Sequence, residues 1–258
     1  MKISKTASSG LIKFIEKIIR SHPLVYYFFR YLIRFTNIFE DDAYGISYLS
    51  FDKKINIIDV GASDGIASKF FMKKLNVSNI LCFEPNKPYV KILKKLNYKN
   101  INMRVYDYGI GERNANYKVF YPRYQFFKKN FDLVTYTFYD KKELQKQINL
   151  DFKFKKNINI IQKQIFLKKI DKLNLKISLI KIDVNGHELS VIKGLKNIIK
   201  KDKPALIIET DKNINKINNY LEKFNYKKYS FLRRKRSFEK IKNTYPLNTY
   251  FLQSFHLG

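Results

Sequence analysis

The chain has 258 residues, with 51 Lys and Arg against 22 Asp and Glu, a formal net charge of +29, and one cysteine. This length suits one well-buried α/β domain with a short extension and argues against a second full domain. The lone Cys82 excludes an intramolecular disulfide and fits a reducing compartment. The positive charge suggests nucleic acid or an anionic membrane, but Lys, Asn, Ile, Phe and Tyr are over-used together, as under a general compositional bias.

Met1–Gly10 is polar and lacks a secretory pattern, and no run approaches the roughly 20 apolar residues that span a bilayer, so a cytoplasmic protein is expected. Leu11–Arg20 alternates an apolar stripe with Lys13, Glu16, Lys17 and Arg20, which predicts an amphipathic helix. Ser21 and Pro23 open a second helix, Leu24 to about Phe39, interrupted by Arg30 and Arg34. Such a basic pair packs on its own domain or a partner subunit, or lies on an anionic membrane, which would make residues 1–40 a peripheral contact with the inner membrane face. Asp41, Asp42 and Gly45 mark a boundary between a helical extension, 1–45, and a domain, 46–258.

That domain begins with Ile55, Ile57, Ile58 and Val60, β-branched and nearly continuous, as in a strand covered on both faces. The strand carries Asp59 and runs into a turn bracketed by Gly61 and Gly65. A dinucleotide fingerprint from Gly61 would need glycines where Ser63 and Ile66 stand. A helix, Ile66–Leu75, leads to a second strand, Asn79–Glu84, whose terminal acid lies about 20 residues past the turn, where a carboxylate meets ribose hydroxyls. A nucleoside without pyrophosphate fits this spacing, and S-adenosylmethionine is the obvious one. Pro85 and Pro88 bracket the entry to a helix, Tyr89–Leu96. A strand, Ile101–Tyr106, and the loop Asp107–Gly111 follow. Alternating strands and helices imply a parallel doubly wound sheet.

Between Asn114 and Asn174 the pattern is weak: two short strands, Tyr117–Tyr121 and Ile158–Phe166, joined by a lysine-rich link, read by position as a substrate-recognition insert. A fourth strand, Ile177–Val184, a helix, Glu188–Ile199, a fifth strand, Pro204–Glu209, and a helix, Ile214–Phe224, come next. Tyr226–Phe231 and Asn248–Leu252 form a closing pair of strands.

Taken together, Ile57–Gly65, Cys82–Asn86, Leu179–Leu189 with Lys193 and Gly194, and Pro204–Glu209 resemble the FkbM family of S-adenosylmethionine-dependent methyltransferases. The resemblance spans roughly residues 54–253, with the motifs in order; Asn185 departs from it where many members carry Glu. It implies a Rossmann-like class I methyltransferase sheet with a reversed C-terminal hairpin, and O-methylation of a hydroxyl on a sugar, a glycan or a glycan precursor, carried on a lipid or free. Two alternatives stand beside it. Charge and interleaved aromatics suggest an RNA ribose methyltransferase; Asp183-Val-Asn-Gly186 replaces the motif for base amines, which argues against base N-methylation but not against ribose methylation, and nucleic acid is the less expected partner. The other is a non-catalytic membrane-peripheral binding module on the same fold.

Methyl transfer from a sulfonium needs alignment of the acceptor and a proton acceptor rather than a conspicuous catalytic motif. For the cofactor, Asp59 is expected at the amino end, with Gly61, Ala62, Ser63 and Gly65 offering backbone; Glu84 followed by Pro85 is expected on the ribose, and Asp107 and Tyr108 beside adenine. Asp183, at a strand end, and His187, at a helix start, are the candidate catalytic groups. Asn185 to Glu188 reads as a capping box, which outweighs a Mg²⁺ site built from Asp183, Asn185 and Glu209.

Overall fold

The structure is a computed structural model and describes residues 22–33, 39–51, 54–96, 98–242 and 244–258. The helix expected at Leu11–Arg20 lies outside the described residues. The chain divides into two compact units, one of Ile38–Ala115 with Phe166–Gly258, the other of Asn116–Ile165 with residues of Thr6–Asn37.

The first unit holds an eight-stranded sheet. Its strands are β1 (Ile55–Val60), β2 (Val77–Phe83), β3 (Asn102–Tyr106), β8 (Leu179–Ile182), β9 (Ala205–Glu209), β10 (Lys227–Leu232), β11 (Ser237–Lys240) and β12 (Asn248–Leu252), in the order β11-β10-β12-β9-β8-β1-β2-β3. From β3 to β9 all pairings are parallel, and β12 enters antiparallel between β9 and β10. This is the doubly wound, Rossmann-like sheet with a reversed C-terminal strand that the motifs implied. The edge strand β11 was not foreseen, because Ser237–Lys240 is short and half polar, as an edge strand can be.

Helices α2 (Ile66–Lys74), α3 (Lys87–Leu93), α5 (Glu188–Gly194), α6 (Lys196–Asp202) and α7 (Ile214–Leu221) connect these strands. The single helix expected over Glu188–Ile199 is instead two, broken at Gly194. A Cβ there would fall 2.1 Å from the Gly111 carbonyl oxygen, so only glycine permits this approach of helix to loop. Gly45, where the sequence reading ends the helical extension, lies inside a 3-10 helix, Asp41–Tyr48, whose Ala43 and Ile46 are buried in this unit.

Side-chain alternation sorts β1 between two cores. Ile58 and Val60 join Leu81, Phe83, Ile180 and Ile182 under α5, α6 and α7. Ile55 and Ile57 join Ile80, Leu179, Phe70 and Phe71 on the other face. Full burial of each such side chain contributes about 1.5–3 kcal/mol. Asp59 therefore points to the face of Ile57. There it stands in register with Cys82 on β2 and Lys181 on β8, a polar row inside an apolar layer.

In the second unit, β5 (Ala115–Phe126) pairs antiparallel with β6 (Lys129–Asp132), tied by the bidentate ion pair of Arg123 with Asp132 at 2.5 and 2.9 Å. Leu133, Tyr136, Leu144, Ile148 and Phe152 form its core. Helix α1, Pro23–Ile33, docks on it through Tyr26, which meets Thr135 by hydrogen bond at 3.0 Å and the rings of Tyr136 and Phe152. The second sequence-predicted helix extended to Phe39, which lies outside any helix. The lysine-rich link of the insert contains a helix, α4 (Lys141–Asp151), capped by Asp140 accepting from the N–H groups of Lys142 and Glu143. The long strand β7, Ile158–Lys168, ends in the first unit, where it pairs parallel with β4 (Gly109–Ile110). Among the described residues, no helix is long and apolar enough to cross a membrane.

Candidate active site

The C-terminal ends of β1, β2 and β8 bring most of the candidate residues together. Asp59 is fully buried; its Oδ2 accepts from Ser68 Oγ at 2.5 Å, and its Oδ1 lies 3.9 Å from Lys181 Nζ. Burial pushes its carboxyl up, against the pull of Lys181 and Ser68. Lys181 donates to Asp183 Oδ2 at 3.1 Å. Burial alone would lower the Lys181 pKa, but Asp183, Asp59 and Glu40 outweigh it and hold the ammonium charged.

After Val60 the backbone turns through Gly61 and Gly65, both left-handed at φ 76° and 82°. A Cβ on Gly61 would fall 1.9 Å from the carbonyl oxygen of Asp183. The turn is thus pressed against the end of β8, where Asp183 N donates to Val60 O at 3.1 Å. Ser63 also takes a positive φ, 50°, and this presents its N–H to Glu84.

Glu84 follows β2, and its carboxylate is held at both oxygens. Oε2 accepts from Ser63 N and Oε1 from Asn86 N, each at 2.8 Å. Burial raises its carboxyl to about 7, against the pull of these two donors. Ala62 is buried and Pro85 half-buried in the same turn region. Beyond β3, Asp107 is exposed, and Tyr108 lies in a cluster of rings: Phe83 stacks on Tyr106 at 4.7 Å, and Tyr108 sits 5.7 Å from Phe83 and 5.6 Å from Tyr106. Lys168 lies over the Tyr108 ring at 4.3 Å.

Asp183 is partly exposed past the end of β8. Burial drives the Glu209 carboxyl well above the ordinary carboxylate range, and the neighbouring Asp183 reinforces the shift. Burial lowers His187 to about 4, leaving the imidazole neutral. It is the N-cap residue of α5 but makes no capping bond. The Glu188 carboxylate accepts from Val184 N at 3.2 Å and Gly186 N at 3.0 Å; because α5 starts at Glu188 with His187 as its N-cap, Glu188 is the first helical residue, and the expected capping box on Asn185 is not formed. Asn185 instead occupies a left-handed turn position at φ 51°. Among the described residues no group of three or more His, Cys, Asp or Glu side chains is placed to hold a metal ion.

Several contributors were not legible from sequence. Asn248 donates through its backbone N–H and Nδ2 to Asp42 at 2.7 and 2.9 Å, and through Nδ2 to Glu40 at 2.7 Å. Ser68 positions Asp59 from the first turn of α2. Only its spacing of nine from Asp59 could have signalled it, and that signal is weak.

The site suits a polar nucleoside cofactor on its own chemistry. Asp59 Oδ1, Ser63 Oγ and Asn86 Oδ1 are buried with no hydrogen-bond partner among the described residues, and the acids and glycines around them leave backbone and carboxylate oxygens to satisfy one.

Comparison with solved structures finds a Methyltransferase FkbM from Methylobacillus flagellatus KT at 17% identity and a TM-score of 0.49, covering 80% of this chain and 47% of that one. The chain thus spans about half the length of that relative. Precorrin-6y C5,15-methyltransferase from Geobacter metallireducens GS-15 follows at 12% identity and a TM-score of 0.38, covering 81% and 84%. TrmK of M. capricolum, in complex with S-adenosyl-homocysteine, shows 10% identity and a TM-score of 0.37, covering 84% and 70%. A comparison with curated proteins gives no match. The sequence model of the Methyltransferase FkbM domain matches residues 59–231, well over half of the chain, and the chain belongs to that family.

Proposed function

We propose that the chain is an S-adenosylmethionine-dependent O-methyltransferase acting on a hydroxyl of a sugar, a glycan or a glycan precursor. The observation that carries the reading is the Glu84 carboxylate, aimed by two backbone N–H groups at the end of β2. Each oxygen accepts one of them and keeps capacity for one ribose hydroxyl. Tyr106 and Tyr108 offer apolar surface beside it for adenine. Asp59, set by Ser68 and Lys181, serves the amino end directly or through water, and the Gly61–Gly65 turn lets the main chain approach.

When bound, the cofactor supplies an electrophilic methyl group. The protein's share is to align the acceptor oxygen and take its proton. Asp183, partly exposed and charge-balanced by Lys181 at 3.1 Å, is the better base. His187, lowered to about 4, is a weak proton acceptor at neutral pH and suits a hydrogen-bonding role toward the acceptor.

Calorimetric titration with S-adenosylhomocysteine is expected to show binding that Glu84→Ala weakens by at least about tenfold, roughly 1.4 kcal/mol. Absence of binding to folded wild type would remove the cofactor from this reading. Label from methyl-labelled cofactor should then appear on a carbohydrate hydroxyl; label found on RNA alone would keep the methyltransferase and reject the glycan acceptor.

The same titration has a pH signature. The Glu84 carboxyl stands at about 7 in the free protein, and only its ionised form accepts from both ribose hydroxyls. Binding therefore releases protons near neutrality, and affinity should fall about tenfold from pH 8 to pH 6. Proton release is read from the dependence of binding enthalpy on buffer ionisation heat. A flat profile with no release would show that Glu84 is not titrating against the ligand.

A further inference from the structure

The second unit exposes several large apolar side chains that ring contacts tie together. On α1, Val25, Phe28 and Leu32 recur at i, i+3 and i+7 and are 43%, 57% and 60% exposed, while Tyr26 faces the unit's core. At the tip of the β5–β6 hairpin, Phe126 pairs with Lys129 across a two-residue loop, Phe127 and Lys128. Phe127 is 85% exposed and sits at φ 52°. A left-handed conformation is costly for a bulky residue and usually falls to Gly or Asn, and at that exposure packing does not offset the cost. Phe154 is exposed as well.

These rings are linked to one another. Phe154 meets His22 at 5.3 Å, His22 meets Tyr124 at 5.5 Å, Tyr124 meets Phe126 at 6.4 Å, and Phe126 meets Phe127 at 4.6 Å. Tyr124 is also the cross-strand partner of Phe131, whose ring meets Tyr27 at 5.3 Å. The hairpin tip, α1 and the segment before β7 therefore share one patch. Exposed lysines interleave with it: Lys128 and Lys129 beside Phe127, and Lys153, Lys155 and Lys156 around Phe154.

Two partners of different chemistry use aromatic and basic groups together. Single-stranded RNA stacks bases on open ring faces. Here Phe126 and Phe127 are edge-to-face at 76° and Tyr27 and Phe28 at 90°, so in each pair one ring covers a face of the other and the rings do not form a parallel stacking platform. The outermost groups, Phe127, Phe28, Leu32 and Val25, also carry no donor or acceptor for a base edge. An anionic bilayer matches better: the apolar groups reach the headgroup and acyl boundary while the lysine stems let their ammoniums stay with the phosphates.

We infer that the second unit carries a peripheral membrane-binding face, formed by the Phe126–Lys129 hairpin tip, the outer side of α1 and Phe154, that docks on bilayers rich in anionic lipid. The inference stands independently of the methyl-transfer reading.

Vesicle flotation with the full chain tests it. Vesicles of phosphatidylglycerol and phosphatidylcholine should retain the protein, phosphatidylcholine alone should hold it at least about tenfold more weakly, and salt should release it. Phe127→Gly suits the left-handed position, so the variant should melt no lower than wild type. Combined with Phe28→Ser it should lower the partition coefficient at least about tenfold. Absence of binding to anionic vesicles would overturn the proposal. So would binding that survives both substitutions, since that would be general attraction by a chain of +29. RNA binding or concentration-dependent dimerisation abolished by the same substitutions, without vesicle binding, would assign the face to that partner instead.

Discussion

Lys181→Met is expected to lower the free energy of unfolding by about 3–5 kcal/mol, the usual cost of removing one partner from a buried ion pair. At this chain size that is roughly 6–20 °C in Tm. The Lys181 side chain is 5% exposed, lies 3.9 Å from the fully buried Asp59 and donates to Asp183, so the substitution leaves Asp59 with only Ser68 to compensate it. The loss should depend on pH. Asp59 is already raised in the folded state, and without the ammonium it rises further, so the folded variant holds a proton that the unfolded chain releases at ordinary carboxylate pH. Stability of the variant is then retained at low pH and lost as pH rises through the raised value. Urea unfolding should show a wider gap from wild type at pH 8 than at pH 5. A gap below about 1 kcal/mol that does not change with pH would mean that Lys181 does not neutralise the row.

Gly61→Ala should be comparably damaging for a steric reason. The left-handed φ alone costs about 1–2 kcal/mol for an L side chain. The added Cβ, 1.9 Å from Asp183 O, must also force the turn away from β8. That motion breaks the Asp183 N to Val60 O bond and disturbs Gly61 N donating to Phe83 O at 2.9 Å. A total loss of about 3 kcal/mol or more is expected, together with loss of S-adenosylhomocysteine binding. Wild-type stability with intact binding would show that the two strand ends separate without cost.

These two positions also show which parts of the fold sequence could disclose. Asp59, Gly61, Gly65 and Glu84 were readable because their meaning is local: a β-branched run, an acid at its end and glycines where the backbone must bend. The partners of Asp59 were not, since Lys181 became its neighbour only through the register Asp59↔Lys181, which no local pattern specifies. Helix α4 was missed because Leu144 and Ile148 are its only buried positions among lysines and glutamines. Asp140 preceding Glu143 was the available signal for its start. The break at Gly194 depended on the distant Gly111, and so stayed hidden inside a helical periodicity.

The bonds from Asn248 to Asp42 join residues 206 positions apart, and this separation bears on how the protein is made. A nascent chain emerges from its N-terminus, so Asp42 and Glu40 leave the ribosome long before Asn248 exists. The parallel strands β1 to β9 are synthesised before β12, and until β12 is in place these two acids lack the donors of Asn248. Completion of the polar network is thereby coupled to the final strand insertion, and a chain interrupted before residue 248 would carry the cofactor motifs without the contacts that bring the two ends of the unit together.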